Sequence, residues 1–174
     1  MSLQDIENSI RNVPNFPKAG IQFKDITTAI KQPQILKEII EKIADHYRSK
    51  KIDYVVGIEA RGFIFGAILA YALGCGFVPV RKKGKLPADV LTQEYSLEYG
   101  TDKVEIHKDA LNKGDKILIT DDLLATGGTT EAAVELVKKT GADIIGFAFV
   151  IELDDLNGRK ALEKTAEVFS LIHY

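Results

Sequence analysis

The chain has 174 residues, the size of one domain with at most a small appendage. Hydrophobic residues make up 45% of it and charged residues 28%, values typical of globular proteins, so disordered and fibrous classes are excluded. Its 23 basic and 25 acidic side chains give a formal net charge of −2, which argues against a dedicated nucleic-acid binder.

Cysteine content and apolar runs bear on the cellular location. The single cysteine, Cys75, excludes an intramolecular disulfide framework and any zinc cluster built on several cysteines. The first residues lack the basic start and apolar stretch of a signal peptide, and the apolar run at 63–73 is too short to span a bilayer. We therefore expect a soluble, cytoplasmic protein without a membrane segment.

Hydrophobic periodicity predicts helices alternating with strands. Apolar residues recur at three- and four-residue spacing within 33–51, as in an amphipathic helix. Short apolar runs bounded by turn residues predict strands. In chain order the predicted elements are a helix within 33–51, a strand at 53–58, a helix at 63–73, strands at 77–81 and 116–120, a turn at 121–130, a helix at 131–140 and a strand at 143–151.

This alternation predicts an α/β fold, a parallel sheet with helices on both faces and right-handed crossovers. Ligands of such sheets bind beyond the carboxyl ends of the strands, so the loops at 57–62, 81–87 and 121–130 should share one rim. Two segments fall outside the alternation. The turn-rich segment 1–29 predicts a small cap, and the alternating pattern at 90–108 predicts a hairpin.

The most informative stretch runs from Ile117 to Thr130. A hydrophobic strand ends in Asp121 and Asp122, and a loop of small residues then opens a helix. Unobstructed backbone N–H groups, threonine hydroxyls and a helix N-terminus would cradle a phosphate, whereas the carboxylates suit the vicinal hydroxyls of a ribose or a hydrated Mg²⁺. No lysine follows the glycines, which excludes a triphosphate P-loop. The loop residues are Ala125, Thr126, Gly127, Gly128 and Thr129.

The same stretch resembles the motif that binds 5-phosphoribosyl 1-diphosphate (PRPP) in type I phosphoribosyltransferases, and its Leu-Leu-Ala-Thr-Gly-Gly-Thr variant is similar to the adenine-specific members. The resemblance extends from about Ile10 to Leu171. Further segments similar to those of the family, in the same order, are 15–26, 59–66, 81–87, 95–100 and 108–111.

The resemblance implies an architecture and an activity. It implies the type I fold, with an N-terminal hood at 1–29 that binds the base and a core at 30–174 that includes a mobile hairpin loop at 82–107. It also implies transfer of 5-phosphoribosyl from PRPP to adenine, giving AMP and diphosphate in purine salvage, with Mg²⁺ as cofactor and a homodimer as the assembly. The ion is expected to bind mainly through the diphosphate and ribose oxygens of PRPP. The three histidines have no metal-ligand spacing.

Residue roles follow from the same resemblance. The loop at 125–129 would anchor the 5′-phosphate, and Asp121 and Asp122 would hold the ribose. Glu98 would exchange a proton with a purine nitrogen as a general acid or base. The remaining implied contacts are Arg61, Glu59, Ala60, Arg81, Lys82 and Lys85 with PRPP, and Gln22, Phe23 and Lys24 with the base. The family commonly has Arg where Lys24 stands, so a backbone contact is the expectation there.

Taken without the resemblance, several of these residues have other interpretations. Arg61 also suits a surface ion pair, and the basic run at 81–85 suits a solvated face. Phe23 suits packing of the cap, and Glu98 suits a solvated strand carboxylate. Two other functions also stay open, a transferase for another base such as xanthine or orotate, and a regulator that uses the fold as a PRPP sensor.

Overall fold

The computed structural model describes residues 2–96 and 100–174. The helices are α1 (Leu3–Ser9), α2 (Thr27–Ile30), α3 (Pro33–Tyr47), α4 (Gly62–Leu73), α5 (Gly128–Thr140) and α6 (Arg159–Leu162), with a short 3₁₀ helix at Asp154–Leu156. The strands are β1 (Arg11–Pro14), β2 (Gln22–Asp25), β3 (Tyr54–Ile58), β4 (Gly76–Lys82), β5 (Val90–Ser96), β6 (Thr101–His107), β7 (Lys116–Leu124), β8 (Asp143–Glu152) and β9 (Glu167–His173).

Within the described residues, seven strands form the main sheet, in the order β5-β6-β4-β3-β7-β8-β9. Strands β4, β3, β7, β8 and β9 pair in parallel, and the antiparallel hairpin β5–β6 joins the sheet through β4. The predicted α/β fold with a mainly parallel sheet and an added hairpin is confirmed.

Side chains of the central strands alternate between two hydrophobic clusters. Leu118 of β7 faces the cluster that contains α3 and α4, whereas Ile117 and Ile119 face the cluster that contains α5. All three are fully buried. Burial of one such side chain stabilises the fold by about 1.5–3 kcal/mol, so both helical layers are held to the sheet. Helices on both faces follow from this alternation.

Strand β7 is longer than its predicted counterpart. Asp121 pairs with Phe149 and Leu123 with Ile151 of β8. The predicted turn at 121–130 is therefore wrong at its start, because pairing with a long neighbour continues the strand through both aspartates. The turn shrinks to 125–127, and α5 begins at Gly128 rather than at residue 131.

Two further features differ from the predictions. Arg81 lies in a strand as predicted, but Lys82, which the predicted hairpin loop at 82–107 includes, also belongs to β4, where the two residues pair with Glu105 and Val104 of β6. Strand β9 at the sheet edge has no predicted counterpart. Its short apolar run suits a strand or a helix equally, and its parallel pairing with β8 decides between them.

Residues 2–30 include α1, α2 and a separate two-stranded sheet of β1 and β2. Ile6, Ile10 and Ile26 are buried in the same cluster as α3, so the helices of this segment pack on the core. The division into a hood at 1–29 and a core from residue 30 stays a prediction. Among the described helices, none has both the length and the apolar character needed to cross a membrane.

Candidate active site

The carboxyl ends of β3 and β7 bring an arginine against the paired aspartates. Arg61 follows β3 and immediately precedes α4, and its Nε donates to Oδ2 of Asp122 at 2.5 Å. The guanidinium side chain is 45% exposed, whereas that of Asp122 is 5% exposed. A half-exposed cation thus stands beside a buried carboxylate at the edge where ligands of parallel sheets bind.

Gly62 allows this approach. A Cβ at this position would lie 2.9 Å from Oδ1 of Asp121 and 3.0 Å from the carbonyl oxygen of Thr120. Only the absence of a side chain lets the first turn of α4 lie directly on β7. The Arg-Gly sequence therefore serves the packing of α4 as well as the site.

The two aspartates differ in environment. Asp122 is buried, and Asp121 is half-buried with its Oδ1 accepting from the backbone N–H of Asp122 at 2.8 Å. Burial, together with the adjacent negative charge of Asp122, raises the pKa of Asp121 well above its usual value. The pair offers oxygen acceptors at the strand end, which is the chemistry that binds sugar hydroxyls or water molecules around Mg²⁺.

The loop at 125–127 connects β7 to α5 at the same edge. Gly127 has φ +87° and ψ −6°, a left-handed conformation that favours glycine. The first intrahelical bond runs from Glu131 N–H to the Gly127 carbonyl at 2.8 Å, so the amides of the turn before it have no partner within the helix. A cavity of about 100 Å³ opens onto residues 123–130 and Asp121. Unpaired amides and the positive end of the helix dipole suit an anion there.

Glu59, two residues before Arg61 in the chain, forms an ion pair with Arg81. Arg81 donates from Nη2 and Nε to the Glu59 carboxylate at 3.0 and 3.2 Å, and Lys82 N–H donates to it at 3.0 Å. The hydrogen bond from Arg81 lowers the pKa of Glu59. The side chain of Glu59 thus orients Arg81, whose Nη1 also donates to the carbonyl of Lys85 at 3.1 Å.

The remaining cations of the basic run have separate environments. Lys82 Nζ lies 3.2 Å from Asp102 of β6. Lys83 and Lys85 are exposed, as is Ala60 in the turn after β3. The structure therefore pairs Arg81 with Glu59 and Arg61 with Asp122, and it directs Lys82 toward the hairpin.

A second cavity, of about 460 Å³, lies between the N-terminal segment and Arg61. Phe16 and Phe23 meet edge to face with ring centroids 5.2 Å apart. The Arg61 guanidinium lies 5.7 Å from the Phe23 ring centroid. Aromatic rings beside a cation suit a planar heterocycle adjacent to the phosphate region. The lining residues are Val13, Phe16, Phe23, Lys24, Asp25, Ile26, Thr27 and Arg61.

The two polar residues that flank Phe23 make contacts within the protein. The exposed Gln22 accepts a hydrogen bond from Asn12 Nδ2 at 2.7 Å. Lys24 lines the cavity, and its Nζ lies 3.8 Å from the ring centroid of Tyr174. Of the three predicted base-binding residues, Phe23 and Lys24 reach the cavity, whereas Gln22 does not line it.

Glu98, the predicted general acid or base at a purine nitrogen, lies outside the described residues. The last described residue before it, Ser96, has its carbonyl oxygen 3.8 Å from the place of a Cβ on Gly128. Strand β5 therefore ends against the N-terminus of α5.

Sequence patterns gave no indication of the segment behind the loop at 125–127. Gly158 packs against this loop, and its neighbour Arg159 donates to the buried Glu152 at 2.7 and 2.8 Å. Asn157-Gly158 predicts only a turn. Ligand atoms of Glu152, Asp154 and His173 lie within 4.8 Å of one another, but both carboxylate oxygens of Glu152 already accept from Arg159.

Comparisons with known proteins agree with this geometry. A family model described as phosphoribosyl transferase domain matches residues 27–173. The adenine phosphoribosyltransferase of Clostridium kluyveri is 57% identical over 174 residues, covering 100% of this chain and 99% of the relative.

Solved structures show the same similarity. The adenine phosphoribosyltransferase of Thermoanaerobacter pseudethanolicus superposes with a TM-score of 0.96 at 50% identity, covering 99% of this chain and 100% of the other. The Saccharomyces cerevisiae enzyme, complexed with an imino-altritol bisphosphate and adenine, gives 0.91 at 43% identity, covering 97% of each chain.

Proposed function

The chain belongs to the phosphoribosyl transferase family and groups with its adenine phosphoribosyltransferases, and on this premise we propose how its residues carry out the transfer. The reaction joins adenine to the 5-phosphoribosyl group of PRPP and releases diphosphate, giving AMP. The observation that carries the assignment of the site is the position of Arg61, which lies between the paired aspartates and the aromatic cavity.

The chemistry requires charge stabilisation more than covalent help. The anomeric carbon–oxygen bond to diphosphate breaks while a ring nitrogen of adenine attacks the same carbon, so positive charge develops on the ribose ring. The released diphosphate carries the electron pair of the broken bond. Preorganised donors at the phosphates and acceptors at the ribose lower the barrier to both changes.

The 5′-phosphate is assigned to residues 125–129, which are the loop at 125–127 and the first two residues of α5. The left-handed Gly127 and the unpaired amides at the start of α5 support this assignment, because they form a concave array of donors. Asp121 and Asp122 follow directly on the strand side, where they accept hydrogen bonds from the ribose hydroxyls. The negative charge of Asp122 also favours the cationic ring of the transition state.

The diphosphate is assigned to Arg61 and the segment from Arg81 to Lys85. Arg61 exchanges Asp122 for the diphosphate, since its guanidinium is half-exposed and reaches the same rim. Glu59 holds Arg81 at this rim through its ion pair. The small side chain of Ala60 lets the diphosphate approach the backbone there. Exposed Lys85, and Lys82 after release from Asp102, add positive charge around the leaving group.

The base is assigned to the cavity lined by Phe23 and the backbone of Lys24. The side chain of Lys24 already contacts Tyr174, which supports a contact through its backbone. Glu98 is assigned to a purine nitrogen, where its carboxylate would accept the proton that adenine loses and so offset the charge that develops as adenine attacks.

Mg²⁺ is part of the proposal as a cofactor that arrives with PRPP. Paired carboxylates at the strand end fit a hydrated divalent cation, because carboxylate oxygens and water are the ligands it prefers. When bound, the ion would neutralise diphosphate charge, and Asp121 and Asp122 are the residues that would contact its water molecules. A cytoplasmic location completes the proposal and rests on the single thiol of Cys75.

An assay with PRPP, Mg²⁺ and a panel of bases tests the function. We expect AMP and diphosphate from adenine. The kcat/KM for hypoxanthine, guanine, xanthine and orotate should each be at least about 100-fold lower than the kcat/KM for adenine. Chelation of Mg²⁺ should abolish turnover. A protein that binds PRPP but converts none of the bases would instead be a sensor on the same fold.

We further propose a homodimer in which α4 lies at the interface. The helix carries no charged residue, yet Ile64 and Tyr71 are 39% and 89% exposed in the protomer. A helix that is apolar on all sides is normally covered on all sides. A second copy of the chain would cover this face.

Tyr71→Glu is expected to weaken the dimer at least about tenfold, because it would bury an unpaired charge at the interface. Analytical ultracentrifugation over a range of concentrations measures this change. Lys160→Glu on α6, against the opposite face of the sheet, is the matched control and should leave the association unchanged. A Tyr71→Glu protein that associates like the parent would place the interface elsewhere.

A further inference from the structure

Gly158 lies directly behind the loop at 125–127. A Cβ on Gly158 would overlap the carbonyl oxygen of Ala125 and lie 2.9 Å from the carbonyl carbon of Thr126 and 3.0 Å from the backbone nitrogen of Gly127. These are backbone atoms, so no side chain can rotate away to make room. Any larger residue at this position must displace the loop.

The backbone conformation of Gly158 does not itself require glycine. Its φ of −59° and ψ of −28° are ordinary right-handed helical values. The close approach of the loop backbone therefore accounts for the glycine at this position. From the other side, a Cβ on Gly127 would lie 3.0 Å from the carbonyl oxygen of Gly158, so the two glycine backbones pack against each other.

An ion pair between Arg159 and the buried Glu152 holds Gly158 in place. The Nε and Nη2 atoms of Arg159 donate to both carboxylate oxygens of Glu152, and Nη1 donates to the carbonyl of Val168 at 3.1 Å. Glu152 ends β8 and is 4% exposed. Because a bidentate pair restrains both distance and orientation, the start of α6 is fixed to the end of the sheet.

The same connection reaches β7. Leu153 N–H donates to the carbonyl of Leu124, the last residue of β7, at 2.9 Å. The segment at 153–159 therefore contacts Leu124, directly before the loop at 125–127, through Leu153. It contacts the loop itself through Gly158. The loop is supported from one side and open to the cavity on the other.

We infer that Gly158 is a positioning residue for PRPP, which keeps the amides at 125–129 aimed at the 5′-phosphate without touching it. The inference rests on the proposed phosphate-binding role of this loop. Donors that are already held in place need no reorganisation when the ligand binds. A displacement of about 1 Å in such a site can lower the reaction rate about 100-fold.

Gly158→Ala is expected to raise the PRPP dissociation constant by about 10-fold to 100-fold, measured by calorimetry. The KM for adenine should change less than about threefold, because the aromatic cavity lies on the opposite side of Arg61. Hydrogen exchange of the amides at 126–129 should accelerate in the free protein, since the loop would be displaced from its support. PRPP affinity and exchange equal to those of the parent would overturn the inference.

Gly146→Ala is the matched control for a general loss of stability. A Cβ on Gly146 would lie 2.7 Å from both Cε1 and Oη of Tyr47, in the core and on α3. This change should lower the melting temperature and leave PRPP affinity as in the parent. A Gly146→Ala protein that lost PRPP affinity as strongly would mean that the effect of Gly158→Ala is merely structural.

Arg159→Lys provides a second variant, and it decides the matter if Gly158→Ala does not fold. Lysine keeps the charge but loses the bidentate grip on Glu152, so a smaller loss of PRPP affinity in the same direction is expected. Unchanged affinity would contradict the inference. Gly127→Val tests the phosphate loop itself. If Gly127→Val loses PRPP affinity but Gly158→Ala and Arg159→Lys do not, the loop binds the phosphate and only the positioning role of Gly158 is wrong.

Discussion

Gly127→Val should abolish measurable PRPP binding while the fold persists. A Cβ on Gly127 would lie 3.0 Å from the carbonyl oxygen of Gly158, so the valine side chain would push the loop away from its support and displace the phosphate-binding amides. The left-handed backbone at φ +87° also opposes any side chain there. Loss of two charge-assisted hydrogen bonds to the phosphate costs about 3–6 kcal/mol, or about 100-fold to 10,000-fold in affinity. The backbone strain itself costs about 1–3 kcal/mol, less than the stability of a typical domain.

The helix that follows offers a matched control for this variant. Gly141 follows the last residue of α5 with φ +80°, and the atoms nearest to a Cβ there belong to Lys113, with its Cβ and Cγ at 3.3 Å. Gly141→Val should therefore cause comparable backbone strain at the other end of the same helix without loss of PRPP affinity. Calorimetry with PRPP on both folded variants decides. If a folded Gly127→Val protein binds PRPP like the parent, the loop at 125–129 does not hold the phosphate.

Glu98→Gln should lower kcat by about 100-fold to 10,000-fold and leave PRPP affinity nearly unchanged. As adenine attacks through one ring nitrogen, positive charge spreads around its imidazole ring. A carboxylate hydrogen-bonded to another ring nitrogen stabilises that charge increasingly toward the transition state. Glutamine keeps the size and the hydrogen-bonding ability of glutamate but carries no charge. Steady-state kinetics with PRPP calorimetry measures both quantities.

Glu94 provides the control for Glu98. The two glutamates stand in similar Glu-Tyr sequences, and Glu94 lies in β5 with its carboxylate 3.0 Å from Lys103. Glu94→Gln should change kcat less than about threefold, because an exposed ion pair of this kind contributes little. A Glu98→Gln enzyme that also retains kcat within a few-fold would reduce Glu98 to a positioning or surface residue and require another group for the proton.

Local sequence patterns predicted most of the core. The spacing of Ile35, Ile39 and Ile43 indicates a helix because side chains three and four residues apart share one face, and these residues are buried. The alternation of strands and helices predicted the parallel sheet, since crossovers of that length admit few other topologies. The boundaries of β7 and α5 were wrong by three to four residues, because pairing with β8 extends the strand.

The chemistry of the phosphate loop was also readable from the sequence. Asp121, Asp122 and the small residues that follow are neighbours in the chain, so their proximity needs no tertiary information. The resemblance to type I phosphoribosyltransferases rests on such local segments, and the comparisons confirm the family.

Contacts between distant segments were decided only by the tertiary structure. Arg61 donates to Asp122, and Arg81 to Glu59, although each pair is separated by many residues in the chain. The support of the loop by Gly158 has no sequence pattern at all, because a glycine required by close approach looks like a glycine in a turn. Periodicity reports which face of an element is buried, whereas the partner on that face depends on how the sheet brings the elements together.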